Sequence, residues 1–220
     1  GQVKAQFNLG VRYDQGWGVE KNEKEAERWL CLAAEQGQIN AQFNLGVMYD
    51  QGRGVDENEK EAMRGLRLAA EQGHSQAQFY LGVGYDQGRG VEKNEKGAMR
   101  WYHLAAEQGL AEPQFYLGVG YDQGRGVEKN EKEAMRWLRL AAEQGHSQAQ
   151  FYLGVGYDQG RGVEKNEKEA ARWLRLAAEQ GHSHAQLCLG VGYEQGRGVE
   201  KNEKEAARWY RFAAEQGLAE

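Results

Sequence analysis

The sequence contains no threonine, three serines, one proline and two cysteines, and no apolar run approaches the roughly 20 residues of a membrane-spanning helix. A helical membrane anchor is therefore not expected. Nor is there an excess of positive charge: 28 Lys and Arg stand against 33 Asp and Glu, for a net charge of −5. A phosphate-backbone partner would call for the reverse, so nucleic acid is not an expected partner. Apolar residues make up 40% of the chain, enough for a core, and glycine is abundant at 31. Gly1 is not an initiator methionine and no signal-like segment follows it, so the compartment is not readable.

The glycines are placed, not scattered. Gly1, Gly37, Gly73, Gly109, Gly145, Gly181 and Gly217 recur every 36 residues, and the units starting at Gly109 and Gly145 are identical at 31 of 36 positions. Such a period marks stacked supersecondary units, none able to bury its apolar face alone. The units are 1–36, 37–72, 73–108, 109–144, 145–180 and 181–216, with 217–220 opening a seventh, and 1–220 reads as one array. Cys31 and Cys188 sit at different repeat positions, four to five repeats apart. At roughly 8–10 Å per packed helix they lie beyond the roughly 7 Å reach of a disulfide.

Each unit predicts two helices. The first spans about Val3–Gln15, with Ala5, Leu9 and Tyr13 on one apolar face and Gly10 allowing close helix contact. Ser75, Ser147 and Ser183, each three residues before Gln78, Gln150 and Gln186, predict a capping box. The second helix starts after Asn22, a good N-cap, with Glu25 placed to reach back to it. Ala26, Trp29, Leu30 and Ala33 form its buried face, and Gly37 ends it. Gly16 and Gly18 belong to the turn between the helices, with Val19 plugging the gap beneath. The stretch DQGRGVEKNEKEA, at 122–134 and again at 158–170, is therefore a repeated hinge and not a phosphate loop, which would follow a strand.

The pattern Ala5, Leu9, Gly10, Tyr13, Gly16, Gly18, Val19, Asn22, Ala26, Trp29, Ala33, Ala34, Gly37 closely resembles the Sel-1-like repeat, and six copies cover essentially the whole chain. The resemblance implies an all-α fold related to tetratricopeptide repeats. That is a right-handed α-solenoid superhelix of six 36-residue helix-turn-helix repeats, acting mainly as a non-catalytic adaptor for proteins or extended peptides. Three departures stand out: Gly65 in place of tryptophan, which predicts weak local packing, Gly97 in place of the capping-box Glu, and Pro113 in a first helical turn, where its missing N–H costs little. A branch of the family with two disulfide-bonded cysteines per repeat has been linked to β-lactam-type ligands; this chain lacks that cysteine pattern.

The resemblance also implies that the first helices line a concave surface. The face opposite Ala5, Leu9 and Tyr13 then carries Lys4, Phe7, Asn8, Val11, Asp14 and Gln15 and their equivalents. Candidate partner-binding residues are Asn8 and Asn44, Tyr80, Tyr116 and Tyr152 in the same row, Val83, Val119 and Val155, and Gln87, Gln123 and Gln159. Tyrosine offers area and a hydroxyl at low entropy cost, and Gln pairs with peptide backbone. Asn8 and Asn44 match the place where related repeats hold a ligand's backbone or carboxylate. The tyrosines carry a second reading, packing against the next helix, and the Phe7 row is read as inter-repeat core. The mid-helix glycines such as Gly84 are read as close helix approach.

Other chemistry is weaker. The serines adjoin His74, His146 and His182 in sequence, which does not aim a base at a nucleophile. His182 and His184 lack further ligands, so no metal and no cofactor is expected. The arginine ladders at Arg28–Arg208 and Arg53–Arg197 read as solvated surface balanced by the Glu rows, or as an edge gripping an acidic partner. The row of Arg67, Arg139, Arg175 and Arg211, interrupted by His103 and Cys31, reads as a solvated face. A structural alternative is head-to-tail self-association, because both ends stop in the same repeat phase without a polar capping unit.

Overall fold

The computed structural model describes residues 1–217, and among them are twelve α-helices and no strand. Two compact units of three repeats each are distinguished, the first being Gly1–Gln108 and the second beginning at Gly109. In the first unit the helices are α1 (Gln2–Gln15), α2 (Glu23–Glu35), α3 (Ile39–Gln51), α4 (Glu59–Glu71), α5 (Ser75–Gln87) and α6 (Glu95–Glu107). In the second they are α7 (Ala111–Gln123), α8 (Glu131–Glu143), α9 (Ser147–Gln159), α10 (Glu167–Glu179), α11 (Ser183–Gln195) and α12 (Glu203–Gly217). The helices pair within each repeat, and α2, α4, α8 and α10 also pack on the first helix of the following repeat. The fold is an all-α solenoid of helix-turn-helix repeats. Of the four residues expected to open a seventh repeat, Gly217 closes α12 and the rest lie outside the described residues.

Asparagine starts every second helix. Asn22 Oδ1 accepts from the Glu25 N–H at 3.1 Å, and its equivalents do the same. The expected reciprocal bond from Glu25 is not made. The Asn22 N–H donates instead to the Tyr13 carbonyl at 2.9 Å, which ties the start of α2 to the end of α1. Gly97 therefore removes nothing from its cap: Asn94 still accepts from the Gly97 N–H at 2.9 Å. Gly37 follows the end of α2 with φ of 82°, and the turn glycines Gly16 and Gly18 are left-handed as expected.

The caps of the first helices correct the serine expectation. Ser75, Ser147 and Ser183 are already the first helical residues, one position too late to cap. The caps are His74, His146 and His182, whose Nδ1 atoms accept from the N–H groups of Ala77, Ala149 and Ala185 at 3.1, 3.2 and 3.3 Å. Each imidazole also stacks on the phenylalanine of the preceding repeat: Phe43 at 4.5 Å, Phe115 at 4.6 Å and Phe151 at 4.6 Å between ring centres. In the second repeat Gln38 Oε1 takes the same role toward Ala41. The fourth repeat loses both partners together, with Leu110 at the cap and Pro113, which has no N–H, at the donor position.

Gln78, Gln150 and Gln186 do not reach back to the serines. They turn inward and donate to the carbonyls of Ala70, Ala142 and Ala178, each at 3.1 Å. Gln6 and its equivalents are buried, and most accept a second bond at 2.7–2.8 Å from a glutamine at the end of their own repeat's second helix, as Gln36 gives Gln6. A buried amide satisfied on both sides links the two helices of a repeat to the repeat before it. Around it the alanines and leucines of the first-helix face are sealed from Ala41 and Leu45 onward, whereas Ala5 is exposed and Leu9 half-buried. The Gly10 row permits the tight pairing: a Cβ on Gly118 would lie 2.6 Å from Leu138 Cγ.

Candidate functional site

The expected binding residues all lie on the first helices of their repeats and differ in exposure. In the first unit Asn8 is exposed, Asn44 and Val83 are half-buried, and Gln87 and Tyr80 are exposed. In the second, Tyr116, Tyr152, Val119 and Val155 are half-buried and Gln123 and Gln159 exposed. The tyrosines serve surface and core at once. Tyr80 leans on Phe79 and Phe43, at 5.7 and 6.0 Å, and Tyr152 on Phe151 and Phe115, at 5.7 and 5.8 Å, in tilted or edge-on aromatic pairs.

The mid-helix glycines make room for a methionine. A Cβ on Gly84 would lie 2.3 Å from Met63 Cε, and one on Gly156 would lie 2.4 Å from Met135 Cε. In the last repeat the glycine remains as Gly192 but the methionine has become Ala171, and no side chain fills the space. A cavity of about 260 Å³ opens there between Val155, Leu174, Cys188, Leu189 and Val191. Asp158 and Arg197 stand beside it, 3.6 Å apart. Burial, and then the charge of Asp158, push the Cys188 thiol up, against the opposing pull of Arg197. The thiol therefore lines the cavity as a small apolar group, not as a nucleophile.

Arg28, Arg64, Arg136, Arg172 and Arg208 are exposed and pair with glutamates of their own helices, as expected, whereas the turn row departs from the expectation. The turn arginines pair with aspartates of the preceding repeat: Arg53 with Asp14 at 3.0 Å, Arg89 with Asp50, Arg161 with Asp122 at 3.3 Å, and Arg197 with Asp158. In this row the expected glutamate balance is replaced by aspartates of another repeat, with Glu59 added at Arg89. Arg67, Arg139 and Arg175 likewise donate to the hydroxyls of Tyr85, Tyr157 and Tyr193 in the following repeat. Arg136 and Arg172 lie 5.0 Å above the rings of Trp137 and Trp173 while pairing with Glu133 and Glu169 on their own helices.

His182 Nδ1 is engaged by the Ala185 N–H, its ring is stacked on Phe151, and its centre lies 6.0 Å from that of His184. Among the described residues no cluster of three His, Cys, Asp or Glu side chains is arranged to hold a metal ion, and no helix is long and apolar enough to cross a membrane. Cys31 and Cys188 are free thiols.

Comparison with known proteins returns one family. The Sel1 repeat matches residues 3–38, 39–74, 75–110, 113–146, 147–182 and 183–218. Among solved structures, the chain is similar to c5321, described as a protective antigen of uropathogenic Escherichia coli strains with an SLR fold. Identity is 38% and the TM-score 0.94, over 99% of this chain but only 46% of that one. It is also similar to a Sel1 repeat protein from Oxalobacter formigenes, with 38% identity and a TM-score of 0.80 over 96% of this chain and 84% of that one. The immunity protein PA5088 of Pseudomonas aeruginosa shares the fold, at 18% identity and a TM-score of 0.52, over 99% of this chain and 82% of that one. No curated protein matches the chain.

Proposed function

The chain belongs to the Sel1 repeat family, whose arrays commonly serve protein–protein interaction and are generally non-catalytic, and from that premise we propose that it is a scaffold binding an extended peptide or protein segment along its first helices. The surface in question carries Asn8, Asn44, Tyr80, Val83 and Gln87 in one unit and Tyr116, Val119, Gln123, Tyr152, Val155 and Gln159 in the other. In the solenoid class this is the concave side. The observation that carries the reading is the pairing of this half-exposed strip with the apolar cavity beside Val155 and Cys188. An apolar side chain fits the cavity, and peptide amides fit Gln159, one turn beyond Val155 on α9.

The test is a peptide-display selection on the chain, counter-selected on a variant with Tyr80, Tyr116 and Tyr152 changed to Ala. Peptides sharing a motif and losing at least about tenfold in affinity on the variant, some 1.4 kcal/mol, are the expected result. Unchanged binding by a variant of native helicity would move the site elsewhere.

A further inference from the structure

Five repeats place a tryptophan at the same point of the second helix, Trp29, Trp101, Trp137, Trp173 and Trp209, and the second repeat has Gly65. The neighbours of these rings define a valley. Trp173 is buried in one cluster with Leu138, Ala142, Leu153 and Tyr157. Trp209 is buried with Ala177, Ala178 and Leu189, and Trp101 packs against the cluster of Ala70 and Leu81 with Tyr85 beside it. The indole thus lies over its own repeat's first helix and against the second helix of the repeat before.

At Gly65 the valley is intact and no ring fills it. A cavity of about 260 Å³ is lined by Ala34, Leu45, Tyr49 and Leu68. Three of these are the equivalents of Ala142, Leu153 and Tyr157, the neighbours of Trp173. Roughly 150 Å³ of apolar cavity suffices for a benzene ring, so this one has room for a fused bicyclic ring. The missing side chain has no simple way back: a Cβ on Gly65 would lie 2.9 Å from the Gln42 carbonyl oxygen and 3.1 Å from the Gly46 nitrogen, both backbone atoms of α3. A ring that arrives unattached does not meet that obstacle.

The surrounding charges select among such rings. Glu35, Glu61 and Arg64 border the cavity, and Arg64 is paired with Glu61 at 3.3 Å. Glu27 stands behind the wall, accepting from Cys31 Sγ at 3.3 Å and from the Tyr49 hydroxyl at 3.4 Å. Three carboxylates against one guanidinium disfavour an anionic ligand and favour a cation. Arg64 precedes Gly65 as Arg136 precedes Trp137 and Arg172 precedes Trp173, where the guanidinium lies over the ring. We propose that the cavity at Gly65 is a binding site for a small planar aromatic molecule of indole size that is neutral or cationic. It lies apart from the peptide surface, and neither reading depends on the other.

The experiment titrates the whole chain with indole, tryptamine and indole-3-acetate by calorimetry and by NMR of Tyr49 and Leu45. Saturable binding is expected for the first two, tightest for tryptamine and weakest for the acid. Ala34→Leu fills the valley from the opposite wall and abolishes binding while the helical spectrum is kept; Gly65→Trp, where it folds, does the same. Unmoved Tyr49 and Leu45 resonances up to the solubility limit overturn the proposal, as does undiminished binding by Ala34→Leu. Binding of a tryptophan-containing peptide without binding of free indole or tryptamine also overturns it, in favour of a protein side chain as occupant.

Discussion

The junction between the first two repeats and that between the fourth and fifth use the same helix pairs and reversed side chains. At the later junction Met135 reaches from α8 over Gly156, Arg139 donates to the Tyr157 hydroxyl, and Trp173 covers the valley. At the earlier one the large residue comes from the other helix: Met48 of α3 is fully buried, and the methionine position on α2 holds Glu27. Cys31 stands where Arg139 would, and both it and Tyr49 donate to Glu27. Burial, with Glu27 beside it, pushes the Cys31 thiol up to about 12, so this group stays protonated and holds its bond. Either helix can thus fill the volume between repeats and satisfy the tyrosine hydroxyl. Where both contributors are small, as at Gly192 with Ala171, or where the ring is lost at Gly65, the volume stays open.

The comparison can be broken most severely at the turn. Gly162 has φ of 63°, and a Cβ there would lie 2.1 Å from the Glu131 carbonyl oxygen of the preceding repeat. Gly18, its equivalent in the first repeat, meets only Arg12 Nη1 at 3.4 Å. Gly162→Ala should cost more than about 3 kcal/mol and Gly18→Ala about 1 kcal/mol. Urea unfolding measures both, and equal costs would mean that contact between repeats is not what makes this turn intolerant.

A smaller effect comes from exchanging the fillers. Met135→Ala turns the fourth–fifth junction into a copy of the fifth–sixth and should cost about 2–4 kcal/mol. Ala171→Met should do the opposite, gaining up to about 1 kcal/mol and closing the cavity beside Cys188. On the proposed function it also weakens selected peptides. A stabilised protein with unchanged peptide affinity would separate the cavity from binding.

The smallest effect concerns the histidine caps. Burial lowers the pKa of His74 and His182, and the nearby His184 lowers His182 further. Above the ordinary value of 6.5 both folded and unfolded chains hold these rings neutral and the caps contribute in full. As pH falls below it the unfolded chain takes up protons first, so stability drops. The loss expected between pH 7.5 and 5 is on the order of 1 kcal/mol per cap. His74→Asn and His182→Asn keep an acceptor that does not titrate, and should flatten that part of the pH dependence. A slope unaltered by both changes would assign it to carboxylates.

The 36-residue glycine period, the asparagine caps and the left-handed turn glycines were legible because each acts within a few residues of itself. The rows of the candidate surface were legible for the same reason, since residues on one helix share a face by spacing alone. The serine expectation failed by one residue: a Ser-x-x-Gln pattern does not reveal that the glutamine is claimed by a carbonyl of the previous repeat, or that histidine gains a stacking partner there. The turn arginines were misread likewise, their aspartate partners lying in the preceding repeat, while the solvated Arg28 row with its glutamates was read correctly because those pairs lie on one helix. The weak packing expected at Gly65 was a correct reading of a missing side chain, but its shape, an open valley with α3 pressed against the glycine, was not.

The sequence by itself determined that this protein is a stack of helical hairpins, because turns, caps and amphipathic faces are local properties repeated six times. Only the tertiary structure decided which residues meet across repeats, and hence which gaps are filled and which stay open. Those meetings join side chains from different hairpins, and packing at near-solid density makes a cavity from any pair of contributors that are both too small.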